Sequence, residues 1–106
     1  MTPVAHVPIT CDLGALSPEE RAREQTLLAE FKLTSGEPQE TANGFRFVLR
    51  NDPPWLGRLG EFLALERLCC PFLNFELVVP AGRQPVSLHI SGEPAVKPFV
   101  RSVFAG

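Results

Sequence analysis

The sequence has no surplus of positive charge: 10 lysines and arginines stand against 12 aspartates and glutamates, a net charge of −2. Proteins that grip phosphate backbones carry a basic excess and a basic face, so direct nucleic-acid binding is not the expected role. Long hydrophobic runs are missing too. No apolar stretch approaches the roughly 18 residues that a membrane span needs, and residues 1–10 lack the basic-then-apolar order of a signal peptide. The expected address is the cytoplasm, without membrane attachment.

Cysteines number only three, and an odd count in a chain without an export signal does not make a disulfide framework. Cys69 and Cys70 are neighbours, and a bridge between them would be far from the usual separation of about 5.5 Å between Cα atoms. There is no CxxC pair and no HxxxH, which argues against a four-ligand structural zinc site. Phosphate-cradling glycine loops are also absent, since Gly57 and Gly60 fall inside a predicted helix.

What is present is an ordinary globular composition. The chain has 106 residues, 44% of them hydrophobic and 21% charged, which is one domain, 1–106, able to build its own core. Residues 7–13 alternate weakly and read as a short opening strand, at an edge because of Pro8. Ser17-Pro18-Glu19-Glu20 is a capping box with proline at the first helical position. The helix it starts is predicted to run to Phe31 or Lys32, burying Leu27, Leu28 and Phe31 and leaving Arg21, Arg23 and Glu30 solvated.

A weak strand at residues 39–41 and the alternating Phe45, Phe47 and Leu49 flank Asn43-Gly44, a hairpin-turn signal because both residues tolerate positive φ. Asn51 or Asp52 then caps a second helix with proline in its first turn. Its apolar positions Trp55, Leu56, Leu59, Phe62 and Leu63 form one stripe, and continuing it lands on Glu66, Cys69 and Cys70. Glu66 and Cys70 fall near the middle of the buried face, Cys69 at its margin and Leu68 opposite. Pro71 ends the helix.

Residues 72–79 read as a strand with Leu73, Phe75, Leu77 and Val79 inward, and residues 86–90 return with Val86, Leu88 and Ile90 inward. A last helix is expected from about Pro94 to Phe104. The predicted order is β-α-β-β-α-β-β-α: an α+β fold, broadly ferredoxin-like, in which an antiparallel sheet of about four to five strands carries helices on one face.

Chemistry concentrates at residues 66–75. Thiolates are soft ligands for Cu(I), Zn and other thiophilic ions, and three thiols beside a carboxylate suit a soft ion of low coordination number if Cys11 folds against Cys69 and Cys70. The competing reading is packing, because free cysteine is among the most buried residue types. Glu66 weighs against pure packing: a carboxylate centred on an apolar stripe is costly unless it is paired or bound, and Arg46 and Arg50 are candidate partners. Thiolate catalysis is opposed by the helix C-terminus, which disfavours an anion. His89 is expected on the outward face of its strand and His6 in the terminal segment.

The decapeptide Glu66-Arg67-Leu68-Cys69-Cys70-Pro71-Phe72-Leu73-Asn74-Phe75, with Ile9-Thr10-Cys11-Asp12-Leu13 upstream, resembles a group of small bacterial proteins with an E-R-x-C-C-P-F-x-x-F core. That core is also found as a domain fused to MerR-type metal-responsive regulators. The resemblance implies heavy-metal handling, with Cys11, Cys69 and Cys70 as thiol ligands and Glu66 as their neighbour. This chain has no DNA-binding segment of the fused kind. The expectation is therefore a cytoplasmic binder of Hg, Cu(I), Zn or arsenite, acting as sensor, buffer or chaperone. Two alternatives stand beside it. One is a small thiol-dependent enzyme using Cys69 or Cys70. The other is a non-catalytic homodimeric module, with Leu68, Phe99, Val103 and Phe104 as its interface.

Overall fold

In the computed structural model, which describes residues 9–12 and 14–105, the chain forms α1 (Pro18–Thr34), β1 (Gln39–Thr41), β2 (Gly44–Leu49), α2 (Pro53–Cys69), β3 (Asn74–Val78), β4 (Val86–Ser91) and α3 (Lys97–Phe104). A single 3-10 turn, Pro94–Val96, leads into α3. The predicted opening strand is not formed by residues 9–12, and Val7, Pro8 and Leu13 lie outside the described residues. The described elements therefore begin on a helix.

Both long helices start where their local chemistry dictates. The Glu20 backbone N–H donates to Ser17 Oγ and the Ser17 N–H donates to Glu20 Oε1, closing the capping box. At α2 the Trp55 N–H donates to Asp52 Oδ1, with Pro53 in the position where no donor is needed. One stripe of each helix is buried: Leu27 and Phe31 on α1, and Trp55, Leu59, Phe62 and Glu66 on α2.

The four strands form one antiparallel sheet in the order β1-β2-β4-β3. Since β2 and β3 both run antiparallel to β4, they are parallel to each other with β4 between them, and α2 crosses from one to the other. Phe45, Phe47, Leu49, Val86, Leu88 and Ile90 are buried on the helix-covered face. Alternation places Arg46, Val48, Glu76, Val78 and His89 on the other. Phe31, Phe62 and Phe104, from three different helices, form a cluster of rings that Phe31 joins to Phe47 of the sheet, with paired centroids 5.1–6.3 Å apart.

Several expectations are corrected. The β1–β2 turn is centred on Ala42 and Asn43, since Thr41 pairs with Gly44, and among the described residues only Gly82 has positive φ. Gly44 is needed for a different reason: a Cβ there would run into the Ile90 carbonyl oxygen and lie 2.7 Å from Ser91 Cα. Gly44→Ala should therefore cost about 3 kcal/mol, measured as a lowered urea midpoint with little change in slope. Val79 lies beyond the end of β3 and is exposed. Phe104 belongs to the core rather than to an interface, and Phe99 packs edge-on against Phe72. Glu30 is half-buried and takes two hydrogen bonds from Arg58, while Arg23 makes the same fork onto Glu61, so these residues join α1 to α2.

Candidate functional site

The C-terminus of α2 is built by a simple conflict. Pro71 disfavours helical geometry at Cys70, which leaves the helix at φ −121° and ψ 69° while its N–H still donates to the Glu66 carbonyl. Two consecutive thiols are thereby fixed at a helix end and aimed differently. Cys70 is 1% exposed and packs in the core; Cys69 is half-buried at its margin. The Asp12 backbone N–H donates to the Cys69 carbonyl at 2.8 Å, satisfying one of the carbonyls that a helix end leaves without a partner. This bond draws the N-terminal segment onto the helix end. Cys11 comes with it, exposed but close enough to Cys69 and Cys70 to oppose their ionisation.

Glu66 is 2% exposed. Its sequence-proposed partners are elsewhere: Arg46 lies on the outward strand face, and Arg50 pairs with Glu30 and Asp52. The residue that meets Glu66 is another acid, Glu24 of α1. Burial first, and then hydrogen bonding and repulsion from Glu24, push the Glu66 carboxyl up to about 9. The Cys70 thiol donates to Glu66 Oε2 at 3.7 Å, and Oε1 accepts no hydrogen bond among the described residues. Glu66 is therefore held in its neutral form, with the second acid facing it.

The thiols are pushed the same way. Burial, followed by the negative field of Glu66 and Glu24, raises Cys69 to about 11 despite Arg21 nearby. Cys70 is raised further, by burial and then by Glu66. At neutral pH Glu66, Cys69 and Cys70 therefore keep their protons, which is the opposite of an activated nucleophile. An incoming thiophilic ion must displace them.

A cavity of about 160 Å³ opens beside the cluster, lined by Cys11, Cys69, Glu66 and Glu24, with Arg21 also in its wall and Leu16, Leu28 and Val103 as apolar sides. Of the sequence-predicted site residues, Cys11, Glu66 and Cys69 line this cavity and Cys70 sits behind Glu66. Among the described residues, no three His, Cys, Asp or Glu side chains converge on a point ready to hold an ion.

His89 is not part of the cluster. It lies on the outward sheet face, with Nε2 2.8 Å from Thr41 Oγ1 and Nδ1 3.5 Å from Glu76. His6 lies outside the described residues. Sequence reasoning missed Glu24, although its position three and four residues before Leu27 and Leu28 puts it on the buried stripe of α1.

Comparison with protein-family models, with curated proteins and with solved structures finds no match to this chain. No helix among the described residues is long and apolar enough to cross a membrane.

Proposed function

We propose that this chain is a thiolate-based binding protein for soft heavy-metal or metalloid ions, with Cys11, Cys69 and Cys70 as ligands and Glu66 as the neighbouring carboxyl. The reading rests on one observation above the others: the Asp12–Cys69 backbone bond gathers thiols that are remote in sequence at one helix end. The donors are sulfur with a protonated carboxyl behind it, a set that favours Hg(II), Cu(I) or arsenite over hard cations. A buried carboxyl that takes a thiol hydrogen bond from Cys70, with Cys11 and Cys69 nearby, is also more than packing alone requires.

Uptake is a proton exchange. Each thiol binds as thiolate and releases its proton, and the raised thiols resist ions too weak to displace it. That selects for the most thiophilic partners and fits a sensor or buffer better than a nucleophilic enzyme.

The experiment is native mass spectrometry of the reduced protein with Hg(II), Cu(I), Zn or arsenite in competition with excess glutathione. One ion is expected per chain, lost in Cys11→Ser and in Cys70→Ser. If none of the ions survives competition, and all three thiols resist alkylation until the protein unfolds, the cysteines are packing residues and the proposal fails.

A finer description of the fold belongs with this reading. A β-α-β-β-α-β ferredoxin-like chain entered at its second helix, with the last strand then preceding the first, reads α-β-β-α-β-β. We infer that α1 to β4 follow that permuted order, with α3 added; the element order and the placement of β4 between β2 and β3 support it.

A further inference from the structure

We infer that the ligand this site is shaped for is a mono-organic trivalent arsenical, R–As(III), with R a small apolar group of about phenyl size. The inference rests on the soft-ligand reading above and narrows it: Cys70 completes the ligand set for a bare ion, and the organic arsenical uses only the two thiols that line the cavity.

Space comes first. A thiolate-bound ion sits about 2.3 Å from its sulfurs and needs no cavity beyond them. Here about 160 Å³ opens next to the sulfurs, walled by Leu16, Leu28 and Val103 alongside the charged or ionisable Arg21, Glu24 and Glu66. A cavity of about 150 Å³ is large enough to take up benzene where its walls are apolar. The Leu16, Leu28 and Val103 walls are thus unused by any bare ion.

Donor count comes second. Two thiols, Cys11 and Cys69, line the cavity, whereas Cys70, which also meets Cys11, is buried with its thiol directed onto Glu66. Trivalent arsenic that already carries one carbon makes two bonds to sulfur. Inorganic arsenite makes three, and structural zinc recruits four ligands.

Charge points the same way. Carboxyl groups from Glu24 and Glu66 and the C-terminus of α2 all disfavour new negative charge. The exchange R–As(OH)₂ + 2 Cys–SH → R–As(S–Cys)₂ + 2 H₂O creates none. Two As–O bonds and two S–H bonds break, two As–S bonds form, and the thiol protons leave in the two waters. Arsenic stays trivalent throughout, so no oxidant or reductant takes part. The neutral product places its sulfurs at Cys11 and Cys69 and its R group against Leu28 and Val103.

The test uses the full-length reduced protein with phenylarsenous acid, methylarsenous acid, arsenite and Hg(II), each in competition with glutathione and read by native mass spectrometry. One phenylarsenic adduct per chain is expected, retained at least tenfold better than the methyl compound or arsenite. It should be lost in Cys11→Ser and Cys69→Ser and kept in Cys70→Ser. Filling the cavity by Leu28→Phe, or independently by Val103→Phe, should weaken phenylarsenical binding tenfold or more and leave Hg(II) binding unchanged.

Retention of Hg(II) or arsenite with no preference for phenyl overturns this inference and leaves the soft-ion reading standing. A phenyl preference that survives both cavity-filling variants, or loss of the adduct in Cys70→Ser, also overturns it. If no thiophile is retained, both readings fall together.

Discussion

Glu66→Gln should stabilise the ligand-free protein at pH 8 by on the order of 3 kcal/mol, a rise of roughly 10–20 °C in the thermal midpoint, and should change little near pH 5. The reason is the proton on Glu66. In the folded protein burial and Glu24 hold that carboxyl at about 9, against an ordinary value of 4.5. Between those two values the folded state keeps a proton that the unfolded chain releases. Wild-type stability must therefore fall as pH rises through that window. Glutamine has the same shape and no proton to lose, and its amide can donate to Glu24.

Above pH 9 the variant should begin to lose stability as well, because burial and Glu24 still hold the Cys69 thiol above its ordinary 9.0 once the Glu66 charge is gone. Denaturant titrations of both proteins from pH 5 to 9.5 give the answer directly. Two curves that stay parallel across that range would show that Glu66 is not held in its neutral form.

Phe31→Ala should cost about 4 kcal/mol. Phe31 is fully buried and meets Phe47 at 5.1 Å, Phe62 at 5.4 Å and Phe104 at 6.1 Å. These partners belong to β2, α2 and α3, so the one ring touches the sheet and both other helices. The cavity left behind cannot be closed by moving a single element. A domain of this size is held by roughly 5–15 kcal/mol in total, so the variant should be partly unfolded at moderate urea. A loss below about 1.5 kcal/mol in equilibrium unfolding would mean that the layers close over the gap, contrary to the packing seen here.

What the sequence made legible, and what it did not, follows from the range of the interactions. Ser17, Glu20, Asp52 and Pro53 act within three residues of themselves, and both helix starts were readable from them. The stripe of α2 likewise placed Glu66 and Cys70 inside and Leu68 outside, because helical geometry alone decides it. The requirement for Gly44 depends on a carbonyl in β4, which no local turn rule contains. Glu24 was overlooked because a lone acid on an amphipathic helix looks solvated until the opposite helix brings a second acid against it. Whether Cys11 would reach Cys69 and Cys70 was beyond pattern reading, since it is decided by one backbone bond across more than half the chain.

That same bond sets what ligand capture would do to the whole molecule. Cys11 precedes α1, and Cys69 is the last residue of α2. A metal or metalloid shared between them would close a ring of backbone containing α1, β1, β2 and α2. Ring closure of that length removes about 4 kcal/mol worth of chain entropy from the unfolded state. Unlike a disulfide, such a ring would need no oxidation and would open again when a stronger thiol took the ligand away. Persistence of the fold would then track the supply of ligand, making the molecule's own lifetime a signal.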